Sequence, residues 1–177
     1  MSMYMHHGGV PWQALDQSPP SVSVKYLRID RRNNETVSLV CLPFGSWLPR
    51  HRHTGPVSVY TVRGRWHYLE HDWVAEEGSI VQEADGSCHT PEVLDCQGAA
   101  AITLNCVRGD LHIMSRSGKV VGLENADTAS QRRASANSYC VGPLLPMTLG
   151  ALRYRHPTNI SDESLITHWA DTGTNLI

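Results

Sequence analysis

The chain has 177 residues, 41% of them apolar, and its 15 Lys and Arg stand against 17 Asp and Glu for a formal net charge of −2. That is one domain's worth of sequence, able to bury a single core. The mixed charge offers no basic patch for nucleic acid or an anionic membrane surface, and no run of about eighteen apolar residues predicts a transmembrane helix.

The N-terminus from Met1 to Gly9 lacks the basic and apolar regions of a signal peptide. The five cysteines (Cys41, Cys88, Cys96, Cys106, Cys140) are odd in number and lack CxxC spacing. Both features predict a cytoplasmic chain without disulfides, in which Cys88 reads most simply as a buried small apolar residue.

Residues 1–20 end in Ser18-Pro-Pro20 and read as a surface lead-in. Val22 to Ile29 and Glu35 to Leu42 are β-branched runs separated by Arg31-Arg-Asn-Asn34, which predicts a hairpin. Short strands are then expected at 57–62, 65–71, 79–83, 92–95, 100–106 and 110–114, punctuated by Gly64, Gly78, Gly86, Gly98 and Gly109. That rhythm predicts an all-β antiparallel sandwich or barrel over residues 21–125 and excludes a βαβ architecture. In the last part, 126–177, the polar stretch Asp127 to Asn137 reads as a helix with Asp127 as N-cap. It lacks an apolar stripe, so it should pack at the edge of the barrel. Residues 161–170 could add a second short helix.

The chemistry concentrates between Gly45 and His89. His51 and His53 are two apart in a strand, so both rings project from one face and can reach one ion. Gly86-Ser-Cys-His89 supplies a third imidazole after a glycine that lets the backbone turn. Three imidazoles and one carboxylate suit a first-row transition metal such as iron, zinc, nickel or manganese. For the carboxylate, alternation along Trp66-His-Tyr-Leu-Glu70-His71 leaves two readings. Either Glu70 points inward with Trp66 and Tyr68, or Glu70 is solvated and His71 belongs to the site. Trp66 and Tyr68 would line the cavity, with the phenol as a donor to substrate. Arg50 and Arg52 should face outward, and His6, His7, His156 and His168 have no ligand spacing. His112 falls on a late strand, beside the site or on the surface. No GxSxG, P-loop or GxGxxG motif supports hydrolase or nucleotide chemistry.

The spacing Gly45-x5-His51-x-His53-x3-Val57-x6-Gly64 resembles the first cupin motif, with Val57 at the position of its glutamate. Gly78-x5-Ala84-x-Gly86-x2-His89-x3-Val93 resembles the second, with Ala84 and Val93 replacing proline and asparagine. The run from His51 to Thr90 is similar to the 2,4′-dihydroxyacetophenone dioxygenase-like cupins, and the likeness extends roughly over residues 38–115. The resemblance implies a double-stranded β-helix, a jelly-roll-like antiparallel barrel with one or two peripheral helices. It also implies Fe(II) on His51, His53, His89 and, from the next strand, Glu70, with Zn, Ni or Mn as alternatives in purified protein. The implied reaction is dioxygen-dependent cleavage of the carbon–carbon bond in an α-hydroxyketone, giving 4-hydroxybenzoate and formate from the namesake substrate, or in a β-diketone. Partners would be a small aromatic or diketone substrate and O2, in a homodimer or higher homo-oligomer. Two other readings stand beside it: a non-catalytic zinc-binding module like those attached to anti-sigma factors, and a non-oxidative metal-dependent cupin such as an isomerase or decarboxylase.

Overall fold

The computed structural model describes residues 4, 6–15, 21–46, 48–95 and 97–139, with side chains followed to 135. A 3-10 turn, His7–Gly9, precedes β1 (Gln13–Ala14). The long hairpin β2 (Ser23–Asp30) and β3 (Glu35–Leu42) follows, then β4 (His51–His53), β5 (Val57–Arg63), β6 (Arg65–Tyr68) and β7 (Ala75–Glu76). The remaining strands are β8 (Ile80–Glu83), β9 (Cys88–His89), β10 (Pro91–Val93), β11 (Ala101–Arg108), β12 (Leu111–Met114) and β13 (Val120–Glu124), ending in helix α1 (Ala126–Tyr139). The short-strand rhythm of the sequence is what the chain adopts. The hairpin turn falls on residues 31–34, where Asp30 Oδ1 accepts from the backbone of Arg32 and Asn33 and Asn34 takes φ +46°.

Among the described residues all strand pairs are antiparallel and fall into three sheets: β1-β2-β3-β11-β5-β8, β10-β6-β7 and β13-β12-β4-β9. The sheets share one interior. Val57 and Val59 from the six-stranded sheet pack on Trp66, Tyr68 and Ala75 from the three-stranded one. Val22, Leu42 and Ala101 pack with Val93. Burying each of the larger side chains contributes about 1.5–3 kcal/mol, so these clusters hold the sheets together. The turn from β5 to β6 depends on Gly64, at φ +87°, where an added Cβ would sit 2.6 Å from the Ala101 Cα.

Helix α1 packs on β2, β3 and β13 at the edge of the sheets, as its lack of an apolar stripe predicts. Its buried contacts are small: Ala129 is fully buried against Val24 and Tyr26. The N-cap is Asn125, not Asp127. Asn125 Oδ1 accepts from the Asp127 and Thr128 amides, and Thr128 Oγ1 accepts from the Asn125 amide, a reciprocal capping box. Asp127 lies inside the first turn and pairs with Arg31 instead. The helix expected at 161–170 lies outside the described residues. Among the described residues no helix is long and apolar enough to cross a membrane, and Cys41, Cys88 and Cys106 are free thiols.

Candidate metal centre

Strand β4 alternates buried, exposed, buried, so His51 and His53 point inward and Arg52 outward. Strand β9 pairs antiparallel with β4 in the register His51↔His89 and Arg52↔Cys88, which sets the third ring directly across from the first. Gly86, at φ +80°, makes the turn before it and donates its N–H to the His53 carbonyl at 2.8 Å. The three ring centroids are 4.8, 4.9 and 5.2 Å apart, and one ring nitrogen from each lies within 4.8 Å of the others. His112, paired with Arg52 on β12, occupies the opposite face of this sheet. His51 Nδ1 is 2.9 Å from the Pro49 carbonyl. A carbonyl only accepts, so Nδ1 carries the proton and the Nε2 lone pair is left for a ligand. Burial, reinforced by His53 and His89, depresses the His51 pKa from 6.5 to about 3, so the ring is neutral, as a metal ligand must be.

The expected carboxylate is elsewhere. Strand β6 ends at Tyr68 and the chain turns, closed by the His71 N–H on the Tyr68 carbonyl, so the alternation that would aim Glu70 inward stops two residues short. Glu70 is exposed and accepts from the Thr90 N–H at 2.8 Å and Oγ1 at 2.9 Å. It braces the segment after His89 and does not join the imidazoles. In the rival reading Glu70 is solvated, as it is here, and His71 stacks on Trp73 and lines a pocket with Tyr68, Glu83 and His89, outside the cluster of three imidazoles. The carboxylate beside the imidazoles is Glu83, which the sequence did not single out. Its Oε2 lies 3.0 Å from His53 Nε2 and 3.3 Å from His89 Nε2, with all three side chains buried.

Strand register explains the substitution. Val57, at the motif's glutamate position, pairs across the sheet with Glu83. Directly opposed residues on one face have Cβ atoms about 5 Å apart, so a carboxylate can move to the neighbouring strand and still reach the same place. The available signal was an acid closing the strand before Gly86; the pairing with Val57 was needed to read it.

Trp66 and Tyr68 both line the interior cavity, but their polar atoms are committed to the protein. Trp66 Nε1 donates to Thr61 Oγ1 at 2.9 Å. The Tyr68 hydroxyl donates to Glu83 Oε1, and its ring lies flat on His89 with centroids 3.9 Å apart. The phenol expected to serve substrate therefore orients Glu83. Burial, and then the Glu83 charge, raise the Tyr68 hydroxyl well above its usual range, so it stays protonated. Burial alone would raise Glu83, but the contacts from His53 and His89 outweigh it and hold the carboxyl well below the usual range.

These residues fit a metal ion. Glu83 Oε2 and His89 Nε2 are buried with no well-oriented hydrogen bond, although they face each other. Buried polar atoms without partners are costly, and a shared cation would satisfy both. The cluster opens on a cavity of about 160 Å³, walled mainly by aliphatic and aromatic side chains.

Residues 1–106 match the family model of the ChrR Cupin-like domain. The chain belongs to this cupin family. A crystal structure of an RmlC-like cupin protein from Ralstonia eutropha JMP134 is 37% identical, with a TM-score of 0.73 over 81% of this chain and 92% of that one. A second cupin-like protein from the same organism, of unknown function, is 20% identical, with a TM-score of 0.63 over 85% of this chain and 100% of that one. An acetylacetone dioxygenase from Acinetobacter johnsonii is 14% identical, with a TM-score of 0.63 over 76% of this chain and 91% of that one. At these lower identities the likeness establishes the shared fold alone. No curated protein matches the sequence. The all-β cupin architecture expected from the strand rhythm and the two motifs is the one this chain has.

Proposed function

We propose that this cupin is a metal-dependent dioxygenase that cleaves a carbon–carbon bond in a small chelating ketone, an α-hydroxyketone or a β-diketone. His51, His53 and His89 would hold Fe(II). The observation that carries the reading is the buried three-imidazole cluster with an anionic Glu83 beside it, opening on an apolar cavity. A cavity of about 150 Å³ accommodates benzene, so this one suits a ligand portion of about that size. The acetylacetone dioxygenase among the structural relatives supports the substrate class.

Bound iron would supply Lewis acidity toward the chelating oxygens and the reaction with dioxygen. The chain's own residues do the rest. Glu83 offsets cationic charge inside a low-dielectric interior. Tyr68 fixes that carboxylate from the other side and shields His89 with its ring. Trp66, Val57 and Val59 keep water from the cavity.

The experiment is oxygen uptake by Fe(II)-loaded protein offered acetylacetone and hydroxyacetophenones, with the zinc form as control. Uptake in step with acid formation, absent with zinc, is the expected result; no uptake across the panel refutes the dioxygenase. A second reading within the same ChrR Cupin-like family is a zinc-binding cupin without catalysis, and zinc has no redox chemistry to contribute. Self-association belongs to the same proposal. Tyr60, Val62 and Ile80 are exposed on the outer face of the six-stranded sheet, and light scattering on the purified protein tests for the homodimer.

A further inference from the structure

From Trp66 to Val107 the chain holds eight Asp and Glu and no Lys or Arg, although the whole sequence has 17 of the first kind and 15 of the second. That one-signed stretch folds around a second opening. A pocket of about 490 Å³ lies between the segment 71–74 and strand β8. Tyr68 and Glu83 line both this pocket and the interior cavity, whereas His51 and His53 line only the cavity and His89 only the pocket. Tyr68 and Glu83 are thus a partition, and the imidazole cluster is reached from both of its sides.

The pocket ends on unsatisfied polar atoms. Glu83 Oε2, Ser87 Oγ and His89 Nε2, all from residues that line it, are buried without a hydrogen bond among the described residues. Glu83 and His89 are themselves almost fully buried, at 6% and 3% exposed. Ser87 shares a strand face with His89, and its carbonyl accepts from the His53 N–H at 3.1 Å, which sets it across from the second imidazole. The rim is acidic. Asp72 lies between His71 and Trp73 on one wall, and Asp85 follows Ala84 on the other. Both are exposed, and among the described residues neither side chain is in an ion pair or hydrogen bond.

We infer that this acid-rimmed pocket is the entrance through which a divalent cation reaches the imidazoles. The interior cavity, walled mainly by aliphatic and aromatic side chains, would strip water from an ion and return no oxygen in its place. The second pocket offers oxygens from Ser79, Gln82 and Ser87 and leads to the Glu83 carboxylate, so an ion can exchange water for protein oxygen on its way in. A cleft of one sign of charge also concentrates counter-ions and raises their rate of entry. The two openings therefore divide the work, the polar one admitting the ion and the apolar one left to an organic ligand. This inference rests on the metal centre proposed above, though not on its iron or its reaction.

The test follows Co(II) entering the purified full chain by stopped-flow absorbance, and leaving it into excess chelator, with equilibrium affinity measured in parallel. Wild-type entry should slow as salt rises from 10 to 150 mM, since the Debye length shrinks from about 30 to about 8 Å. Asp72→Asn with Asp85→Asn should slow entry roughly fivefold at 10 mM and far less at 150 mM. Val74→Trp, which adds bulk at an exposed lining position, should slow entry and release by one common factor and leave affinity unchanged. That equality marks an obstructed path, because a damaged binding site changes the ratio of the two rates. Val40→Phe, which narrows the interior cavity instead, should leave both rates as in the wild type. Wild-type rates in both the paired Asp variant and Val74→Trp overturn the entrance, as does slowing confined to Val40→Phe. A wild type that binds no Co(II) at equilibrium refutes the metal centre itself, and the entrance with it; normal affinity with rates indifferent to rim and salt refutes the entrance alone.

Discussion

Two carboxylates compete for a role at the candidate metal centre, and a paired substitution separates them. Glu83→Gln keeps the side-chain volume and still offers an oxygen to the Tyr68 hydroxyl. It removes the negative charge and can turn an NH2 toward His53 Nε2 and His89 Nε2, 3.0 and 3.3 Å from the present Oε2. Those donors would engage the lone pairs a metal needs. Loss of an outer-shell partner typically costs 10- to 100-fold in metal affinity, and Glu83 is buried against two candidate ligands, so a loss of about 100-fold is expected. Glu70→Gln removes only an exposed carboxylate bound to Thr90, and metal affinity should stay within about twofold, since an exposed charge is well screened. Competition against a chromophoric chelator at neutral pH measures both, with urea midpoints as the folding control. If Glu70→Gln releases metal as readily as Glu83→Gln, the assignment of the carboxylate from strand register is wrong.

Three other outcomes follow from the same geometry. His89→Ala should lose bound metal, read by elemental analysis, while the far-ultraviolet spectrum of the sheets survives; full occupancy in that variant would remove the site. The His51 imidazole, depressed from 6.5 to about 3 by burial first and by His53 and His89 second, makes the metal-free protein acid-sensitive. Between those values the unfolded chain binds a proton that the native state refuses, so stability falls with falling pH, by about 2 kcal/mol from pH 6.5 to 5. His51→Gln should flatten that limb in urea titrations at the two pH values, and an unchanged slope would assign the effect to another group. Asn125→Ala removes the side-chain half of the capping box and should cost about 1 kcal/mol in thermal or urea unfolding, whereas Asp127→Ala should cost less because Asp127 only pairs with Arg31 at the surface. Equal losses would restore Asp127 as the cap.

The parts of the molecule legible in the sequence are those governed by short-range rules. The hairpin at 31–34 was readable because turn residues separate two β-branched runs. His51 and His53 were readable as a pair because strand alternation is a two-residue rule. The rest needed information that no local rule carries. Alternation leaves Glu70 and His71 both open, and the resemblance that favours Glu70 requires a strand running two residues past the end of β6; Asp127 reads as a cap by residue type alone, whereas Asn125 reaches the Asp127 and Thr128 amides and Thr128 bonds back to it.

Glu83 was hidden for a different reason. A motif written along one strand assumes that its ligands arrive on that strand, whereas a metal ion samples positions in space. Within an antiparallel pair, each inward position has a neighbour at nearly the same depth on the adjacent strand, and Val57 and Glu83 are such a pair. Exchanging which partner carries the acid preserves the charge near the imidazoles and changes its direction of approach. It also gives the carboxylate a new support, because from β8 Glu83 meets the Tyr68 hydroxyl while Val57 completes the apolar cluster with Trp66. The missing glutamate in the first motif is therefore not a missing carboxylate. A centre of three imidazoles with its acid on the neighbouring strand remains suited to a cation, and the apolar side chain at 57 lines the cavity beside it.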